Sequence, residues 1–273
     1  MKKLFTILTV VILTTTMSLG QDLTSKKGEN YLPEQGEWAI GFDATSLLNY
    51  FGNLLNSNAT APTVGNYFND NAFYGKMMID DKSAWRARVE LGFGSASVTT
   101  PHEETIGYDN SGQPIKETKD DEVTNSNFGL NVWLGKEFRR GSTRLQGVYG
   151  AEVGLGFSSS STTFDYGHTT WDDTWSGSGR TTEINNGTGF ALGGRVFIGA
   201  EYFILPKMSL SAEYGWGLGL NFAGTSSVTT ESTIYDNAGN PIGSETTTSD
   251  GSSSSAFGIG NDLRGNLGIH LYF

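Results

Sequence analysis

Apolar and polar residues alternate one for one through eight separate segments of this chain, and a period of two restricts it to β-sheet with two unlike faces. The last segment, Ile259 to Phe273, shows it most cleanly. Phe273, Leu271, Ile269 and Leu267 share one face, while Tyr272, His270, Gly268, Asn266 and Arg264 share the other. Asn261 falls on the apolar parity, so a bulge or register shift is expected in the upper half of that strand. The other segments are Glu37–Thr45, Ala72–Asp80, a run from Trp85 to Gly94, one ending at Phe138, one from Arg144 to Phe157, and two around 190–204 and 210–222.

The connections between these segments alternate in length. Asp80-Asp81-Lys82-Ser83, Arg139-Arg140-Gly141-Ser142 and Leu205-Pro206-Lys207 are tight turns. Residues 46–70, 101–125, 159–188 and 224–254 are long and rich in Ser, Thr, Asn, Asp and Gly. Short turns at one end and long loops at the other fit a membrane-spanning sheet closed on itself, with the turns on the periplasmic side and the loops outside. With eight strands both termini fall on the short-turn side.

The amino terminus agrees with export. Lys2 and Lys3 precede an apolar run from Leu4 to Leu13, and Ser18-Leu19-Gly20 supplies small residues before a cut at Gln21. Residues 1–20 are read as a signal peptide, 21–36 as a periplasmic segment and 37–273 as the sheet domain. The apolar run is broken by Thr14-Thr15-Thr16, well short of the roughly 20 residues a spanning helix needs. The chain has no cysteine, which excludes a disulfide framework. Its net charge is −11, and loss of Lys2 and Lys3 makes it more negative, which disfavours a nucleic-acid partner.

Aromatic residues decide which face meets lipid. Phe93, Phe128, Phe157, Phe190 and Phe222 lie on the apolar parity where strands enter the long loops, and Trp38, Trp85, Phe138, Tyr202 and Phe273 lie near the short turns. Two such rings mark the two interfaces of a lipid-facing band. A lipocalin-like soluble barrel would instead turn the apolar face inward. The opposite parity then fills the interior with Glu37, Asp43, Glu90, Glu137, Glu152, Glu201, Glu213 and Asp262 against Lys76, Arg86, Arg88, Arg144, Arg195 and Arg264, with His270 near the short-turn end. Sealed charges must pair, so a salt-bridged plug is expected, although inward glycines leave room for a thin water path.

The signal ending Ser18-Leu19-Gly20-Gln21, the eight dyad-repeat strands and the terminal Leu271-Tyr272-Phe273 together resemble the small outer-membrane β-barrel family of the OmpA transmembrane-domain and OmpX type. The resemblance implies an all-β, up-and-down antiparallel transmembrane barrel of eight strands. It also implies residence among outer-membrane lipid and lipopolysaccharide, and delivery by the barrel-assembly machinery through Phe273. The chain departs from OmpA in ending at Phe273 with no peptidoglycan-binding domain.

Chemistry-bearing patterns are sparse. His168 with Asp172 and Asp173 is the one cluster that suggests a general base, and it meets no catalytic geometry. His102 and His168 read as solvated loop side chains, and no two ligands stand at zinc spacing. No catalytic, cofactor-binding or metal-binding residue is assigned, and the expected role is a non-enzymatic surface or structural one, with a narrow pore as the alternative and a barrel enzyme a remoter one. One repeat stands out: Tyr108-Asp109-Asn110-Ser111-Gly112-Gln113-Pro114-Ile115 recurs as Tyr235-Asp236-Asn237-Ala238-Gly239-Asn240-Pro241-Ile242. Asp-Asn followed by Gly is reverse-turn chemistry, so each copy is expected at the tip of a β-arm, the two arms facing each other across the mouth. The repeat lacks the alternate acids of a calcium loop. The acidic residues of 101–125 and 224–254 read as solvated surface, with divalent-cation bridging to lipopolysaccharide as the alternative.

Overall fold

The computed structural model describes residues 23–43, 72–170 and 179–273, with the side chains of 43, 72 and 261–266 excepted. The expected signal peptide, the 46–70 loop, Asp172 and Asp173 lie outside the described residues, as do the side chains of Asp43, Asp262 and Arg264.

All described strands are antiparallel. They are β1 (Trp38–Asp43), β2 (Ala72–Asp80), β3 (Ser83–Tyr108), β4 (Pro114–Arg140), β5 (Leu145–Asp165), β6 (Arg180–Leu205), β7 (Met208–Ala223), β8 (Ser227–Tyr235), β9 (Pro241–Asp250) and β10 (Ser254–Tyr272). Neighbouring pairs run β1 through β7 in sequence, β7 pairs with β10, and β10 returns to β1, so eight of these strands close a ring. The closing register sets Ile40 opposite Leu271 and Phe42 opposite Ile269, so the apolar faces of first and last strands are continuous. The expected irregularity in the last strand is a register shift between Asp262 and Asn266. β10 there advances from 262 to 266 while β7 steps only from Gly215 to Glu213. The excess is even, so Phe257 and Ile259 above and Leu267 and Leu271 below keep one parity.

Where they are described, the long connections are largely strand. β3 and β4 have 26 and 27 residues, far more than the roughly 10 that cross a bilayer, and their pairing runs unbroken from Ser83↔Phe138 to Thr105↔Lys116. β5 and β6 extend beside them, and β8, outside the ring, pairs with the start of β6. Beyond the ring the upper strand halves therefore form one wall in the order β3-β4-β5-β6-β8-β9. This corrects the picture of two facing arms: the two hairpins are the two edges of a single sheet.

The repeated octapeptide builds the same turn at both edges. The Asp109 carboxylate accepts from the amides of Ser111 (2.7 Å) and Gln113 (2.8 Å), and Asp236 accepts from Ala238 and Asn240, both at 2.8 Å. Gly112 (φ 75°) and Gly239 (φ 81°) occupy the left-handed position that glycine tolerates.

At the short-turn end the chain preceding β1 folds underneath the ring. Tyr31 and Leu32 pack on an apolar floor of Ala39, Met78, Ala84, Phe203 and Tyr272. Arg144 stacks on Tyr31 at 4.0 Å and donates to the carbonyls of Phe203 and Ile204, both at 2.8 Å. Lys207, held at φ 59° in the β6–β7 turn, reaches Glu37 at 2.6 Å and the Leu32 carbonyl at 3.1 Å. Arg144 and Glu37 thus belong to this floor rather than to the interior, because they sit beyond the last ring pairings.

A closed ionic interior and a histidine cluster on the wall

The inward parity of the ring places its described charged side chains in one connected network. In the lower layer Lys76 lies 3.0 Å from Glu137 and 3.1 Å from Glu201, and Arg139 lies 3.0 and 2.8 Å from the same two acids. The hydroxyl of Tyr272 donates to Glu201 at 2.8 Å, and the Ser209 hydroxyl donates to the same carboxylate. Arg86 joins this layer to the next by contacts to Glu137 (3.1 Å), Glu152 (2.6 Å) and Glu213 (2.8 Å). Above it Arg195 holds Glu152 at 2.9 Å, and Arg88 reaches Glu90 at 3.0 Å. Among the described side chains Lys76, Arg86, Arg88, Arg139 and Arg195 are matched one for one by Glu90, Glu137, Glu152, Glu201 and Glu213, and Glu137 and Glu201 are completely buried.

Aromatic side chains fill what the ions leave. The Arg86 guanidinium lies over Phe197 at 4.2 Å and Arg88 over Trp133 at 5.0 Å, contacts that gain strength where water is excluded. His270 shares a hydrogen bond with Ser211 at 2.9 Å and meets Tyr74 edge-on. Two inward glycines are filled by large neighbours, whereas Gly129, Gly258 and Gly260, nearer the long-connection end, face open space. A Cβ on Gly154 would stand 2.3 Å from the Trp133 indole, and one on Gly215 would stand 2.1 Å from the Arg195 guanidinium. Gly154 and Gly215 are seats for large neighbours.

Most of the interior follows the parity read from sequence. Arg139 does not: the sequence reading sets it in a turn with Arg140, yet it is the penultimate residue of β4 and 2% exposed. A signal for it exists, since Arg139 is two residues from Glu137 and shares its parity, but a basic pair beside Gly141 reads as turn.

The outward parity is apolar and exposed. Trp38, Ile40, Phe73, Trp85, Leu134, Val153, Ile198 and Phe273 are all more than half exposed. Across strands the upper aromatics form a belt: Phe93 opposes Phe128, Phe157 opposes Phe190, and Phe190 opposes Phe222. Near the short turns Trp38 and Trp85 both oppose Met77, and Phe138 stacks on Tyr149 at 5.5 Å. Lys136, on the outward parity, folds its ammonium over Trp85 (5.7 Å) and Phe138 (5.2 Å).

On the wall, the unbroken β3–β4 register carries the inward parity upward to His102 and Glu104 on β3 and to Lys119 and Asp121 on β4. The chain leaving β5 turns across this face. The Gly167 amide donates to Asp121 at 3.0 Å, the Thr169 hydroxyl to Glu104 at 2.6 Å, and His168 Nδ1 lies 2.9 Å from Asp121. The His168 ring, 5% exposed, stacks on His102 with centroids 3.9 Å apart. The Thr169 hydroxyl bond holds the Glu104 carboxyl below the usual carboxylate range. Sequence spacing conceals this cluster, because its members come from separate strands and meet only through sheet register. It also gives His168 an acidic partner other than Asp172 and Asp173.

No protein-family model and no curated protein matches the chain. A solved structure described as a major outer membrane protein from Thermus thermophilus superposes with a TM-score of 0.30 at 13% identity, over 87% of this chain and 98% of that one. That score is too low for the likeness to bear on fold or function.

Proposed function

We propose that the chain is an integral outer-membrane β-barrel protein with a non-conducting, ion-paired interior, and that its work is done by the sheet wall standing outside the cell. The carrying observation is the inverted surface: an exposed apolar face between two aromatic belts, wrapped around buried paired charges. In water such a face is an unusually large apolar patch, whereas in lipid it is the expected exterior. The dimensions agree. From Phe138 to Phe128, ten positions along β4, a rise of about 3.3 Å per residue and a tilt near 40° give roughly 25 Å along the membrane normal. Among the described residues no helix is long and apolar enough to cross a membrane, so spanning falls to the strands.

On this reading the short turns and the folded 23–36 segment are periplasmic, and the wall is extracellular. The role is structural or interactive and not enzymatic. The cross-linked interior supports a silent barrel over the narrow-pore alternative. Planar-bilayer recording of the purified protein together with protease treatment of intact cells tests both parts. The expected outcome is no stepwise conductance and cleavage confined to the long-connection end, the β3–β4 and β8–β9 edges included. Reproducible single-channel steps would sink the plugged barrel, and protection of both edges would sink the orientation.

A further inference from the structure

The geometry points to a binding site for one zinc-type divalent transition-metal ion, formed by His102, Asp121 and His168 on the inner face of the wall. Each residue offers one ligand atom, and these atoms lie within 4.8 Å of one another. Tetrahedral zinc, bound about 2.0–2.1 Å from nitrogen or oxygen, needs its ligands roughly 3.3 Å apart, so binding requires an approach of about an ångström and rotation of the two imidazoles out of their present stack until their in-plane lone pairs converge. The ligand types choose the metal class. Two imidazoles with one carboxylate suit zinc, nickel, cobalt or copper, whereas calcium and magnesium prefer sites made wholly of oxygen.

The surroundings hold the crossing segment beside the other two ligands. The Gly167 amide on Asp121 and the Thr169 bond to Glu104 fix the crossing segment from both sides of His168. Tyr166 packs edge-on against His168 at 5.6 Å, with Arg180 over the tyrosine ring at 4.4 Å. Such outer contacts orient ligands and commonly matter about 10–100-fold in metal affinity. With three protein ligands, the fourth position would be open to water or to a donor from a partner. Because the three come from β3, β4 and the chain beyond β5, the ion would clamp that crossing segment onto the wall.

The test uses the full-length protein, folded in detergent and stripped with a chelator. Calorimetric titration with Zn²⁺ should show one equivalent bound, and Co²⁺ should give the visible absorption of a four-coordinate site. His102→Ala and His168→Ala should each weaken zinc binding at least tenfold, and Asp109→Asn at the hairpin tip should leave it unchanged. Circular dichroism and the heat-dependent shift in gel mobility establish that each variant is folded. His168→Gln and the Co²⁺ spectrum of the unaltered protein serve as tests should an alanine variant not fold. Undiminished zinc binding by a folded His102→Ala/His168→Ala double variant would overturn the site. So would displacement of zinc by equimolar Ca²⁺, or the absence of both saturable zinc binding and a cobalt spectrum.

Discussion

The ring interior and the wall above it carry the same kinds of charged residue, yet the two regions use them differently. Glu201 is sealed between Lys76, Arg139, Tyr272 and Ser209. Glu103, on the wall, meets Lys116 at 2.7 Å with both side chains more than half exposed. Water can replace the second partnership and not the first. Removing one member of a sealed pair strands a charge, whereas removing one member of a solvated pair is nearly free. Closure of the sheet, more than residue type, therefore sets the energetic weight of each ion pair.

The comparison is most directly broken at its heavy end. Glu201→Ala should lower unfolding stability in micelles by about 3–5 kcal/mol, measured by urea titration. Combination with Glu137→Ala should be non-additive because both acids share Lys76 and Arg139. A loss below about 1 kcal/mol would mean that the interior is hydrated and the contrast false. Next comes Gly154→Leu, which forces a side chain into the Trp133 seat. A cost of about 1–3 kcal/mol is expected, and a neutral result would show that the interior has slack.

Smaller effects belong to the wall. Asp236→Ala removes two amide partners at a hairpin tip and should loosen that turn locally, visible as faster hydrogen exchange at Ala238 and Asn240 with the ring amides unaffected. The β6–β8 join should depend on pH. The Ser244 hydroxyl, aided by Arg180, holds Glu231 below the ordinary carboxylate range. A depressed acid contributes fully above its unfolded pKa and loses that contribution as pH falls through its folded value. Protection factors of β8 amides, corrected for the intrinsic pH dependence of exchange, should therefore fall on acidification below the usual carboxylate range and stay flat from there to neutrality. Least of all, Lys116→Ala should leave the urea midpoint unchanged within measurement error.

Much of this is legible in the chain. Period two assigns Phe93, Trp85, Phe190 and Phe222 to one face and Arg86, Glu152 and Glu213 to the other, because face is a local property of a strand. The Asp-Asn-x-Gly repeats announce their turns for the same reason: Asp109 and Asp236 bond only to their own turns. Arg139 escapes such a reading because the last pleat of a strand resembles a tight turn in composition. The attachment of β8 to β6 escapes it because Thr, Ser and Glu alternation states that a strand exists and not which edge it will find.

What the sequence determined alone is everything that depends on neighbours along the chain: alternating faces, turn positions, an apolar exterior and a charged interior. Tertiary structure alone decided which charges meet, that two hairpins merge into one wall, that residues 23–36 floor the ring, and that His102, Asp121 and His168 converge. These depend on register between strands far apart in sequence. A period of two fixes which side of a strand a residue faces and leaves open what stands opposite it.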